Sequence, residues 1–126
     1  MNRYLKKHLV LLAAGAAALA GPTTLALGSG PSEAAAHTCG GRAATIVGNS
    51  HSNEIDGTAG SDVIVGLGGN DDIEGHGGND VICGNRGNDE LEGDSGNDRL
   101  YGGLGVDEAE GGRGADTCFA EEKESC

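Results

Sequence analysis

The chain of 126 residues has no Trp, two Tyr and one Phe. So few rings exclude an ordinary globular core, in which aromatic side chains carry much of the buried area. Positive charge is also scarce: eight Lys and Arg stand against 20 Asp and Glu, a formal net charge of −12. That imbalance repels nucleic acid and anionic membrane, both negatively charged, and leaves cations as the natural partners. With this much like charge and so little apolar surface, the chain would not offset its ordering entropy by burial alone. What is abundant is Gly, 25 residues in all.

Residues 1–36 read as an export signal and are set apart from the fold. Arg3, Lys6 and Lys7 form a basic start, Leu9 to Ala20 an apolar stretch too short to span a bilayer comfortably, and Ala34-Ala35-Ala36 a cleavage site before His37. Earlier cleavage, after Ala20 or Ala26, is a second reading. Neither twin Arg nor a lipobox Cys occurs here, so a soluble, secreted, extracellular product is expected. Without residues 1–36 the chain keeps five basic and nineteen acidic side chains, a formal charge of −14.

Cys39, Cys83, Cys118 and Cys126 all follow that segment. An even count in a short exported chain points to two disulfides with three alternative pairings. Their wide spacing supplies no C-x-x-C or Cys/His cluster for zinc.

Shifting the chain against itself by nine residues brings one pattern into register. Position 1 is Gly57, Gly66, Gly75, Gly84, Gly93, Gly102 and Gly111. Position 4 is Gly60, Gly69, Gly78, Gly87, Gly96, Gly105 and Gly114, and position 6 is Asp62, Asp71, Asp80, Asp89, Asp98, Asp107 and Asp116. Position 8 is apolar: Ile64, Ile73, Ile82, Leu91, Leu100, Ala109 and Cys118. A degenerate unit, 48–56, keeps Gly48 and Ile55 but carries His51 and Asn53. The organisation is therefore an N-terminal cap segment at 37–47, repeats over 48–119 and a C-terminal cap tail at 120–126.

Seven units of the form G-x-x-G-x-D-x-U-x resemble the calcium-binding repeats of the repeats-in-toxin (RTX) family. The resemblance implies an all-β fold, a parallel β-roll or right-handed β-solenoid of about four 18-residue coils with two short-stranded sheets. Each G-x-x-G-x-D would be a turn and each following triplet a strand. An 18-residue coil requires positions 7 and 9 to differ between odd and even units, and they do. One outer face would carry Glu54, Asp56, Asp72, Glu74, Glu90, Glu92, Glu108 and Glu110; the other carries Thr45, Val47, Val63, Val65, Val81, Cys83, Arg99, Tyr101, Thr117 and Phe119. The second set suits a covered sheet. The first reads as a solvated charged surface, or as a low-affinity cation or mineral surface.

Glycines at positions 1 and 4 admit turns that other residues avoid and bring carbonyl oxygens together. Calcium takes six to eight oxygens from carboxylates and carbonyls in irregular geometry, whereas magnesium demands a stricter octahedron. A single Asp in such a turn reads as an Asx turn former; seven in register would repel one another without a cation. The resemblance places ions between turns one coil apart, giving the ladders Asp62–Asp80–Asp98–Asp116 and Asp71–Asp89–Asp107. These make three sites on one edge and two on the other, with Asn53 against Asp71 as a weaker sixth. Carbonyls would come from Gly57, Gly60, Gly66, Gly69, Gly75, Gly78, Gly84, Gly87, Gly93 and Gly96. Folding is expected to depend on calcium.

Within that roll, residues 37–47 can fold back over the apolar face, tethered by Cys39–Cys83, while Cys118–Cys126 closes the lower end. His37, His51 and His76 sit at isolated turn or terminal positions and read as surface residues, and no nucleophile–base pattern is present, so no enzyme activity is expected. In the toxins and proteases that carry such repeats a catalytic or pore-forming domain precedes them, and none is expected here. The expectation is a monomeric calcium-binding protein without membrane insertion; a calcium-stabilised adhesive or matrix module is the alternative. An ice-binding solenoid lacks the Thr-rich flat array it would need.

Overall fold

The computed structural model describes residues 9–12 and 37–126. Arg3, Lys6, Lys7 and the Ala34-Ala35-Ala36 cleavage motif lie outside the described residues. Inside the proposed signal, Leu9–Leu12 forms a strand, β1. There is no helix among the described residues.

The repeats produce short strands because each unit offers three residues of alternating character, out, in, out, between glycine-rich turns. One parallel sheet holds β1, β5 (Asn53–Asp56), β7 (Asp72–Glu74), β9 (Glu90–Glu92), β11 (Glu108–Glu110) and β13 (Glu122–Glu124) in that order. The other, also parallel, runs β12 (Thr117–Phe119), β10 (Arg99–Leu104), β8 (Val81–Arg86), β6 (Val63–Leu67) and β4 (Ile46–Val47). From β4 to β12 partners differ by 18 residues, as in Ile64↔Ile82 and Ile73↔Leu91. Two nine-residue units thus complete one coil of the expected β-solenoid, about four coils in all.

Between the sheets lies a single file of buried side chains: Ile46, Ile55, Ile64, Ile73, Ile82, Leu91, Leu100, Ala109 and Cys118. Ile46 extends the repeat's position-8 column by one member. Each buried aliphatic contributes about 1.5–3 kcal/mol. Ordering the backbone costs about 1–2 kcal/mol per residue, and nine residues are ordered per core side chain. The column therefore positions the turns without being able to hold them alone.

A second apolar cluster supplements it. The antiparallel hairpin β2 (Thr38–Cys39) and β3 (Arg42–Ala43) lies over the Val-rich sheet, and Cys39 and Ala44 are buried with Val63, Val65 and Val81. Cys39 is bonded to Cys83 and Cys118 to Cys126, the pairing expected from the sequence. Residues 37–47 thus cover the upper part of this face, while Tyr101 and Phe119 stack on each other below, with centroids 5.1 Å apart.

The tail is more than a loop. β13 pairs with β11 in the register Glu108↔Glu122, so the final coil spans 14 residues instead of 18. Its Glu, Lys and Glu side chains leave a charged strand at the open end, which opposes edge-to-edge pairing.

Candidate metal centre

The position-6 carboxylates stack along both edges of the roll and are linked from coil to coil. On one edge Asp80 Oδ1 accepts the N–H of Asp62 at 2.7 Å, Asp98 Oδ1 that of Asp80 at 2.8 Å, and Asp116 Oδ1 that of Asp98 at 2.7 Å. On the other, Asp71 Oδ1 accepts from Asn53 at 2.8 Å, Asp89 Oδ1 from Asp71 at 2.8 Å, and Asp107 Oδ1 from Asp89 at 2.9 Å. These are the two ladders expected from the sequence, with Asn53 heading the second.

The second oxygen of each carboxylate behaves differently. Oδ2 of Asp71, Asp80, Asp89, Asp98, Asp107 and Asp116 is buried and accepts no hydrogen bond. A buried polar atom without a partner forfeits its hydration, and a carboxylate more so than a neutral group. Burial is the chief cause that pushes the carboxyls of Asp71 and Asp80 up to about 7 and that of Asp89 to about 6, with a like-charged Asp one coil away adding to it; Asp98 is raised for the same reasons. Backbone N–H bonds oppose the rise without cancelling it.

The glycines complete a cradle. A β-carbon at Gly93 would lie 2.5 Å from Asp98 Oδ2 and 2.8 Å from the carbonyl oxygen of Gly111. The same crowding against the unit's own Asp Oδ2 occurs at Gly57, Gly66, Gly75 and Gly84. Position 1 is glycine for this reason and not for a positive φ, which the repeat pattern alone would suggest at both glycine positions. Position 4 does use that conformation, at Gly69, Gly78, Gly87 and Gly96, for example φ 93° at Gly78. Position 2, which the repeat pattern did not single out, shares it: Leu67, His76, Asn85 and Asp94 all have φ between 71° and 82°.

The first turn on each edge departs from this scheme. Asp62 Oδ2 accepts from Thr58 N–H at 2.7 Å and Thr58 Oγ1 at 2.9 Å, and Asn53 Oδ1 accepts from Asn49 N–H at 2.8 Å. Gly60 belongs to that first turn, has no positive φ, and would meet nothing closer than Thr58 Oγ1 at 3.7 Å with a β-carbon added. Asp62, Asn53 and Gly60 therefore open the stacks, and the unpartnered oxygens begin one coil later.

Two supporting features lie outside the G-x-x-G-x-D-x-U-x pattern. Position 5 forms its own ladders: Asn70 Oδ1 accepts from Asn88 N–H and Asn79 Oδ1 from Asn97 N–H, each at 2.9 Å, headed by Ser52 and Ser61. The nine-residue spacing of Asn70, Asn79, Asn88 and Asn97 was the available signal. Glu121 ends one Asp ladder by accepting the N–H of Asp107 at 3.2 Å, and no repeat position marks it. His76, expected to be isolated, instead lies 3.2 Å from Asp56 and 3.5 Å from Asp94.

Buried carboxylate oxygens without donors, facing a cradle only glycine leaves open, fit a hard cation that prefers carboxylate and carbonyl oxygen. The fold and its turns define a calcium-binding β-roll. The family model described as the RTX calcium-binding nonapeptide repeat matches residues 47–82 and 84–118 in four copies, and the chain belongs to this family. No curated protein and no solved structure matches the chain.

Proposed function

We propose that the protein is a secreted calcium binder that folds when its turns take up the ion, with six inter-coil sites. The observation that carries the number is the set of six unpartnered buried Oδ2 atoms, one for each gap between stacked turns. Asp80, Asp98 and Asp116 would supply the sites on one edge, against the turns of Asp62, Asp80 and Asp98. Asp71, Asp89 and Asp107 would supply the other edge, against those of Asn53, Asp71 and Asp89. The Asn53 gap lacks one charge and would be the weakest.

The energetics support coupling. At an affinity of about 0.1 mM and calcium near 1 mM, one site contributes about 1.4 kcal/mol. Six such sites give roughly 8 kcal/mol, comparable to the whole stability of an ordinary domain. An intracellular calcium level far below the affinity would leave the chain unfolded for export, and the outside medium would fold it. Two disulfides accord with an oxidising destination.

Isothermal titration of the full chain with calcium tests the stoichiometry. Six ions support the reading; one or two, with the β-structure fully formed, would contradict it.

A further inference from the structure

We propose that Asp56, Glu74 and His76 form a site for a zinc-class transition-metal dication, separate from the calcium turns. Asp56 and Glu74 are direct neighbours across β5 and β7. His76 follows two residues after Glu74, where the chain takes its left-handed step at φ 73°. His76 Nε2 lies 3.2 Å from Asp56 Oδ1 and 3.8 Å from Glu74 Oε2, and one ligand atom from each of the three residues falls within 4.8 Å of the others.

Two ligand atoms each about 2.0–2.1 Å from a tetrahedral ion are about 3.3 Å apart, close to these separations. An imidazole nitrogen with two carboxylates is a donor set for zinc or its neighbours, whereas calcium takes oxygen. Water would complete the coordination. On the far side of the ring, His76 Nδ1 lies 3.5 Å from Asp94 Oδ2, one coil further on. A carboxylate behind a ligating imidazole fixes its tautomer and orientation and strengthens the ligand. The four residues come from three successive coils, so the site exists only in the folded roll. Among the described residues it recurs nowhere else along the edge, because the equivalents of His76 are Thr58, Asp94 and Gly112.

An ion pair is the simpler use of the same contacts, and it requires only positive charge at position 76, whereas coordination requires a nitrogen lone pair. The full chain is therefore titrated with zinc in millimolar calcium, which occupies the turns, and with cobalt(II) to read the tetrahedral ligand-field bands. The expected result is one saturable ion per chain with the visible ligand-field bands of tetrahedral cobalt(II). His76→Asn should abolish both while leaving calcium-dependent circular dichroism unchanged, since Asn85 already holds this backbone conformation one unit later. His76→Lys, which keeps the charge, should abolish them too, and Asp94→Asn should weaken zinc on the order of tenfold. Should His76→Asn misfold, Asp56→Asn gives the same readout from the strand side. Absence of saturable zinc binding to the wild-type chain, or undiminished binding by His76→Asn or Asp56→Asn, would overturn the site and assign any bound zinc to the general acidic surface.

Discussion

The carboxylate of Asp80 serves two coils unequally: Oδ1 accepts the backbone N–H of Asp62 at 2.7 Å, while Oδ2 is buried without a donor. One oxygen holds the stack together and the other repels it until a cation arrives. Replacing Asp80 separates these roles. Asp80→Asn keeps an acceptor for Asp62 but removes the charge, so it should raise the calcium midpoint while leaving the ion-free chain no less ordered. Asp80→Ala also strands the Asp62 N–H, adding about 1–3 kcal/mol of destabilisation in the calcium-loaded form. Thermal unfolding in calcium should rank wild type above Asn and Asn above Ala; equal losses for the two variants would contradict the division of labour.

The glycines should not be equivalent. Gly78→Ala puts a β-carbon against the backbone of Gly60 and Ser61 at φ 93°, and Gly84→Ala puts one into the Asp89 carboxylate. Each should cost about 1–3 kcal/mol or more through overpacking and strain. Gly60→Ala, in open space, should stay within about 0.5 kcal/mol of wild type. Denaturant melts in saturating calcium measure all three, and a Gly60 effect as large as that of Gly78 would refute the turn geometry.

Acidity should act in opposite directions with and without the ion. Asp71, Asp80 and Asp89 have folded values near 6 to 7, raised chiefly by burial from an unfolded value of 3.8. A raised folded value adds stability that is full below the unfolded value and lost as pH climbs through the folded one. The ion-free roll should therefore gain structure on going from pH 8 to pH 5, whereas calcium, competing with protons, should bind more weakly over that window. Circular dichroism in chelator and calcium titrations at both pH values read the two trends. Parallel trends would contradict them.

The Cys39–Cys83 bond closes a 44-residue separation and holds the hairpin over Val63, Val65 and Val81. By chain entropy alone such a loop is worth about 4 kcal/mol. Cys39→Ser with Cys83→Ser should shift the calcium midpoint to higher concentration and expose the Val-rich face to an apolar dye, with the strands re-forming at saturation. An unchanged midpoint would mean that the hairpin adds nothing to the roll.

Much of this was legible in the sequence because the repeat is strict. The Ile and Leu column and the two contrasting faces follow from which residues recur, and the 18-residue register and the Asp ladders from the family that the repeat resembles. Cysteine spacing alone leaves three pairings open, and only within the roll that the resemblance implies does an apolar face in need of a cover point to Cys39–Cys83. What could not be read was set by three-dimensional crowding. The repeat does not distinguish position-1 glycine, required by a carboxylate oxygen, from position-4 glycine, required by φ. Thr58 and Asn49 close the first turns through hydrogen bonds that resemble ordinary loop chemistry. Glu121 enters the ladder only because the last coil is four residues short, and the His76 cluster draws on three coils that no linear motif connects.

The most direct test is far-ultraviolet circular dichroism of the full chain during a calcium titration, with magnesium as control. A cooperative change from coil to β-structure is expected between sub-millimolar and millimolar calcium, absent with magnesium at the same concentrations. A spectrum already β-rich in chelator at pH 8 and unmoved by calcium would contradict it, because the six buried oxygens would then be accommodated without the ion.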